Sequence, residues 1–480
     1  MTLKNNDFKI DVTSEIGTLR TLLIHSPDSG LGKVVPSKAQ DWLFEDIVHL
    51  DTMRKNEYDY YVKLLLYFLD QDKIKGKLHQ VDNDTERTFF KPDNPGFHAS
   101  GKVIEIQTLL ADILKQADIR EKLVASVCAI ESCNYRLQQQ LIDTDPIELA
   151  KIFISGSLST EEMIFAPIPN LIFSRDIGIA INNHMLLNKP AKKARFRETL
   201  LARYIFFNHP LFAEYRNNIL EIPETAQHFL RPGEDNLEKT TLEGGDVMMV
   251  SPQHLVIGCS ERTSISGANE AIKLLFDNDV VKKVTIVKIP HKRDYMHIDT
   301  VFTQVRRDTW VLLRSLAVAE APIEEQEPMS WFADKKQKER PEIVQFEKDE
   351  KPRLFACIED LLADISENDL KSDNKTKFIY SGNNTFPFDA REQWTDSCNL
   401  LAIKEGVVLG YDRNDKTVEA FKQNGFDVIR VNDLLQKFES GELDPQKLTN
   451  TLILMPSAEL SRARGGFHCM SMPLLRDKIV

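Results

Sequence analysis

The chain has 480 residues, 42% of them hydrophobic and 28% charged, a balance that suits a soluble globular protein with a large core or more than one lobe. A net charge of −12 excludes the broad basic face that nucleic acid needs, and an acidic surface is compatible with a cationic small-molecule substrate. Six cysteines (Cys128, Cys133, Cys259, Cys357, Cys398, Cys469) are too few and too scattered for a disulfide framework or a zinc site.

The opening residues, Met1-Thr2-Leu3-Lys4-Asn5-Asn6-Asp7, lack the apolar stretch of a signal peptide, and no apolar run is long enough to span a membrane. The expectation is a reduced, cytoplasmic protein with no membrane or nucleic-acid partner. Residues 18–25 alternate and then turn apolar, as a strand does, and Ser26-Pro27-Asp28-Ser29-Gly30 is turn chemistry. From 52 to 154 the texture becomes helical. Tyr58, Tyr61, Val62, Leu65, Leu66 and Leu69 recur at helical spacing, as do Ile106, Leu109, Leu110, Ile113 and Leu114. This segment carries no cluster of reactive groups, so packing or assembly into a homo-oligomer is its expected part.

After Ile154 strand and turn patterns alternate with helices. Expected strands lie at 170–176, 179–181, on both sides of Ser251-Pro252, and at 284–289, 300–305 and 311–316; a cationic helix covers about 195–203. The recurrence suits a repeated α/β unit, although no clean sequence repeat is visible. Residues 323–353 crowd charges around Trp331 and Phe332 and read as a charged, solvated surface insertion.

Several short strings hold chemistry. In Phe173-Ser174-Arg175-Asp176, the aspartate is suited to a guanidinium fork or to an ion pair with Arg175. Leu242-Glu243-Gly244-Gly245-Asp246 places two carboxylates on a tight backbone. In Met296-His297-Ile298-Asp299-Thr300, a strand would send His297 and Asp299 to one face, a proton-transfer group beside a cation ligand; alone, a surface His-Asp pair reads equally well. Near the end, Arg464-Gly465-Gly466-Phe467-His468-Cys469-Met470-Ser471-Met472-Pro473 presents a cysteine on a glycine-shaped loop. Arg462, Arg464 and His468 are expected to favour its thiolate; on composition alone, a buried structural thiol is the better reading.

These strings, in this order, resemble the arginine deiminase family of the guanidino-group-modifying superfamily. The resemblance implies a five-bladed, pseudo-symmetric α/β propeller (the pentein fold). Its catalytic domain would comprise 1–51 and 155–480, with 52–154 an inserted helical domain and 323–353 an insertion that typical members lack. It implies hydrolysis of free L-arginine to citrulline and ammonia through a cysteine thiouronium, with no metal or organic cofactor. Cys469 would be the nucleophile, His297 the acid and base, Glu243 its support, and Asp176 and Asp299 the guanidinium clamp. Arg195, Arg262, Arg464 and Asn170 would bind the rest of the substrate. The rival readings are an amidinotransferase, a dihydrolase or a dimethylarginine hydrolase on the same fold, or a non-catalytic member. Three positions depart from the family pattern: His468 replaces arginine, Phe467 replaces proline, and Ile177 stands where proline follows the aspartate.

Overall fold

Five sheets share one three-strand plan in a computed structural model that describes residues 8–44, 46–158, 162–223, 239–318 and 340–479. In each, two strands run antiparallel and a third joins the second in parallel. Strands Met472–Arg476, Leu19–Ile24 and Val103–Glu105 form the sheet that ties the C-terminal strand to the N-terminal one. The others are built on Gly178–Ile181, His184–Leu187 and Ile219–Glu221; on Val247–Ser251, His254–Cys259 and Lys283–Lys288; on Phe302–Arg306, Thr309–Leu312 and Lys377–Tyr380; and on Leu401–Lys404, Val407–Tyr411 and Thr451–Met455. The parallel step needs a crossover, and helices Phe196–Asn208, Ile265–Asp277 and Asp415–Gln423 lie in three of these connections. The fold is therefore mixed α/β, and its repeat is one of connectivity, hidden from the sequence because each unit uses different side chains.

Segment 52–154 is largely helical. Helix Asp59–Leu69 is apolar nearly all round and buried accordingly, its Asp59 closed by Arg87 and its Lys63 by Asp82. Helix Pro146–Ser155 starts on the Asp145 side chain, which accepts from Ile147 N and Glu148 N, and stops at Gly156 with φ 75°. The segment shares its core with the sheets: Tyr61 and Leu65 pack in one cluster with Leu409 and Cys469, and Leu110 and Phe153 in another with Met185 and Phe206. Strand Val103–Glu105 lies inside it and pairs with Leu19–Ile24.

Several sequence expectations change. Residues 170–176 and 298–300 are 3₁₀ turns, Pro169–Ile172, Ser174–Ile177 and Ile298–Thr300, not strands. Short apolar runs do not separate the two, and here each turn ends where a strand begins. The 311–316 strand stops at Leu312 and becomes helix Arg314–Ala317. Of the expected insertion, 323–339 lies outside the described residues, as do Met1 to Asp7 and Glu45. Its remainder is partly sheet and partly exposed: Glu342–Glu347 pairs with Lys283–Lys288 and Arg353–Phe355, burying Ile343 and Gln345, while 348–353 is solvent-exposed. The flanking charges masked this period-two pattern.

Candidate functional site

Each sheet receives its chemistry at the same place, the turn that enters the first strand of its antiparallel pair. Turn Ser174–Ile177 brings Asp176, and turn Gly244–Asp246 follows Glu243. Turn Ile298–Thr300 follows His297 and holds Asp299. The turn at 395–398 brings Asp396 and, just past it, Asn399; the loop ahead of Met472–Arg476 brings Cys469. Hydrogen bonds join these turns in a ring. Gly245 N donates to Asp176 Oδ1 (3.0 Å), Ile298 N to Asp246 Oδ1 (2.9 Å), Asn399 Nδ2 to the Asp299 carbonyl (3.3 Å), Cys469 N to Asn399 Oδ1 (3.1 Å) and Arg175 N to the Cys469 carbonyl (3.1 Å). Two glycines permit the close approach: a Cβ on Gly245 would stand 2.4 Å from His297 Nδ1, and one on Gly466 2.4 Å from the Asn399 carbonyl oxygen.

At the ring's centre is a buried cavity with about 30 Å³ of free space, lined by Asp176, Arg195, Glu243, Arg262, His297 and Cys469. Asn170 and Arg464 complete its wall; Asn170 Nδ2 donates to the Trp42 carbonyl (2.7 Å), and Arg464 Cζ lies 3.5 Å from the centre of the Trp394 ring. Such a volume holds roughly two waters, so an amino-acid ligand has to displace side chains to enter. Asp299 lies behind the thiol rather than in the wall: its Oδ2 faces both Cys469 Sγ (3.5 Å) and His468 Nδ1 (2.9 Å).

The electrostatics follow from burying many carboxylates together. His297 Nε2 faces Glu243 Oε2 at 3.1 Å. Burial alone would lower the imidazole pKa, but Asp176, Asp246 and Glu243 outweigh it and raise it to about 10. Burial would raise the Glu243 pKa, yet its bond to His297 and the nearby Arg195 and Arg262 bring it well below the usual range. Arg195 Nη1 sits 2.6 Å from Asp176 Oδ2 and 3.5 Å from Glu243 Oε2, while Nε donates to Glu198 (2.9 Å). Burial raises Glu198 to about 7, against the pull of Arg195. With Oδ1 accepting from Gly245 N and Oδ2 held by Arg195, both Asp176 oxygens are occupied. Arg195 thus stands where a guanidinium held by Asp176 would sit. Asp176, Glu243 and His297 also place ligand-type atoms within 4.8 Å of one another, close enough for a cation; the Arg195 guanidinium supplies positive charge there.

The expected thiolate-favouring surroundings of Cys469 are reversed. Burial and the charges of Asp299, Asp176 and Asp396 push the thiol pKa well above its ordinary value, against the Asn399 Nδ2 that donates to Sγ at 3.1 Å. Arg462 is exposed and paired with Asp46 at 2.9 Å, and His468 bridges Asp299 and Glu15. Asn399, which clasps both the backbone and the sulfur of Cys469, went unassigned in the sequence, as did Glu198 and the cavity-lining Arg293. The one signal for Asn399 is its place at the turn of the fourth repeat. Among the described residues no helix is long and apolar enough to cross a membrane.

The family model described as arginine deiminase matches residues 136–476. The chain is 29% identical to an arginine deiminase of Staphylococcus aureus (strain JH9) over 490 aligned positions, covering 98% of this chain and all of that one. It is equally similar to an arginine deiminase of Borrelia garinii subsp. bavariensis, covering 98% of each. Among solved structures, an amidinotransferase of saxitoxin biosynthesis from Microseira wollei aligns over 97% of both chains with a TM-score of 0.46 and 12% identity. A dimethylarginine-hydrolase mutant (DDAH) from Pseudomonas aeruginosa, complexed with citrulline, covers 63% of this chain and 76% of that one, with a TM-score of 0.34 and 13% identity.

Proposed function

The chain belongs to the arginine deiminase family, and on that premise we propose that it hydrolyses the guanidinium group of free L-arginine to citrulline and ammonia, with Cys469 as nucleophile. One observation carries this reading: Cys469, His297, Glu243 and Asp176, delivered by separate turns, line a single buried cavity together with four arginines, Arg195, Arg262, Arg293 and Arg464. The ring of five hydrogen-bonded turns and the shared strand plan support a closed five-bladed propeller, with 52–154 as its helical insertion.

A guanidinium carbon is a poor electrophile because its charge is delocalised, so geometry and covalent catalysis must carry the reaction. Arg195 releases Asp176 as substrate enters, and the substrate's cation replaces the positive charge lost there. That same cation, arriving beside Cys469, offsets the carboxylates that hold the thiol neutral; the thiol loses its proton to solvent and the thiolate attacks. A sulfur–carbon bond forms, His297, held protonated at neutral pH, gives its proton to the departing nitrogen, and ammonia leaves. The remaining thiouronium keeps the positive charge. His297, now neutral, takes a proton from water as the oxygen attacks the same carbon. The carbon–sulfur bond breaks as the adduct's hydroxyl proton passes to solvent, returning the thiolate and leaving the ureido group of citrulline. Glu243 holds the imidazole and stabilises its protonated form throughout. Arg262 and Asn170 bind the α-amino-acid end, with Arg464 at the wall.

The test is product identification after incubation with free arginine, agmatine, methylated arginines and a blocked arginyl peptide, with no acceptor amine present. Equal amounts of citrulline and ammonia from arginine are expected. Turnover that starts only when an acceptor amine is added would replace the hydrolase by an amidinotransferase.

A further inference from the structure

A second cavity lies where strand Leu19–Ile24 runs out against the helical segment, and it shares no lining residue with the first. Its free space is about 350 Å³, against about 30 Å³ at the catalytic ring, so it admits a small metabolite without rearrangement. Hydrogen-bond accounting shows what it lacks. Its two innermost acids are fully engaged: Glu105 accepts from His25 Nδ1 (2.7 Å) and Ser26 N (2.9 Å), and Asp28 from His25 Nε2 (2.9 Å) and Gly30 N (2.5 Å). Arg87 closes its fork on Asp59, and Lys151 is held by Asp93 at 2.6 Å.

Arg54 is different. Its Nε donates to the Pro27 carbonyl (2.7 Å), but among the described residues no carboxylate lies within 4.0 Å of its guanidinium. The side chain is half-buried, and burial together with the neighbouring Arg87 lowers its pKa, against the weaker pull of Asp28, Asp51 and Asp59. Lys91, also lining the space, has no carboxylate within 4.0 Å either among the described residues. A partly dehydrated guanidinium with an unused fork favours an oxyanion, which can accept two parallel bonds from it.

We propose that this cavity is a ligand site for a small organic oxyanion, carboxylate or phosphate, seated on the Arg54 guanidinium with Lys91 beside it. The test is isothermal titration calorimetry of the full-length protein with inorganic phosphate and, separately, succinate. The titrations are repeated on Arg54→Met, on Lys91→Met and, as a control in the catalytic cavity, on Arg262→Ala. The expected result is saturable one-to-one binding of at least one probe, weakened tenfold or more in Arg54→Met, less in Lys91→Met, and unchanged in Arg262→Ala. Which probe binds tells phosphate from carboxylate. The Arg54→Met variant is checked for wild-type arginine turnover and thermal midpoint, and Lys91→Met gives a second reading if Arg54→Met misfolds. Absence of saturable binding by either probe overturns the site. So does binding that survives both substitutions, or binding that is lost only in Arg262→Ala.

Discussion

His297 and Cys469 face the same crowd of buried carboxylates, and the crowd does opposite things to them. On the histidine, Asp176, Asp246 and Glu243 stabilise the cation, so the imidazole rests protonated, the form the proposed mechanism needs at its first proton transfer. On the cysteine, Asp299, Asp176 and Asp396 oppose the anion, so the thiol rests neutral. One negative field thus keeps the imidazole charged and the thiol neutral. It also explains what the site waits for. A cationic substrate is the one partner that relieves the repulsion on sulfur while satisfying the acids.

The most severe break in that comparison is Cys469→Ser. A hydroxyl held among three carboxylates is far harder to ionise than the thiol, so turnover is expected to fall on the order of 10⁴-fold or more. The fold should survive, because Cys469 N still donates to Asn399 and its carbonyl still accepts from Arg175 N. Ammonia release from arginine and a thermal melt check both halves. Near-normal release would remove the covalent route.

Asp299→Asn should separate the two roles of the field. Its carboxylate sits 3.5 Å from Cys469 Sγ and is held ionised against burial by His468. Neutralising it lowers the thiol pKa, so iodoacetamide should alkylate Cys469 faster at pH 7 to 8 than in the wild type. Turnover moves the other way, because the guanidinium loses a buried countercharge, costing about 2–5 kcal/mol in kcat/KM. A variant that neither reacts faster nor turns over more slowly would take Asp299 out of the site.

These two residues also mark how far the sequence could be read. The Glu-Gly-Gly-Asp and Met-His-Ile-Asp strings located Glu243 and His297, and the structure sets them 3.1 Å apart. The alternating residues of 296–300 fit a turn as well as a strand, and the turn at Ile298–Thr300 is what sends His297 into the cavity while Asp299 goes behind it. The thiolate expectation failed for a different reason. It used chain neighbours, but Arg462 points to Asp46 on the surface, whereas the charges that matter come from Asp299, 170 positions away. Asn399 illustrates what no string reveals: an asparagine acquires meaning only when a turn is hydrogen-bonded to its neighbour in the ring. The repeat was legible only as a recurrence of strands and helices, because it is written in strand order, with Asp, Glu, His, Asn and Cys at equivalent places.

The histidine half can be tested alone through stability against pH. The folded pKa of about 10 exceeds the ordinary 6.5, so His297 contributes stability that is fully present below pH 6.5 and is lost as pH rises through 10. His25, raised to about 10 by Glu105 and Asp28 against burial, acts in the same window. Asp246 and Asp396, raised by burial to about 7, act mainly below it, between about pH 4 and 7. The fall in thermal midpoint from pH 7.5 to 10 should therefore be roughly half as steep in His297→Gln as in the wild type, with His25 carrying the remainder. An unchanged slope would mean that the Glu243 contact does not hold the proton.

The smallest effect concerns the far end of the substrate, and it turns on two arginines that the sequence treated alike. Arg195 is bound on three sides, by Asp176, Glu243 and Glu198. Arg262 is equally buried, but its nearest carboxylate contacts are loose: Glu261 at 3.8 Å and Glu243 at 3.9 Å, with Met296 Sδ at 3.8 Å. A guanidinium so weakly held inside a closed cavity is the better match for an α-carboxylate, whereas Arg195 must first be freed. Agmatine lacks that carboxylate and would leave Arg262 buried without a partner, which a polar site penalises more heavily than a missing methylene. Arginine should accordingly be preferred strongly over agmatine, and an arginyl peptide with its carboxyl blocked refused. Arg262→Ala should shrink the ratio of kcat/KM for arginine over agmatine about tenfold or more, chiefly by lowering the arginine value, since the cost falls on a contact agmatine never makes. Arg195→Ala should instead depress both substrates, because it disturbs the carboxylates that orient the guanidinium itself. Equal kcat/KM for arginine and agmatine in the wild type would end the assignment of free arginine, and equal losses for both substrates in Arg262→Ala would move the carboxylate contact to another residue.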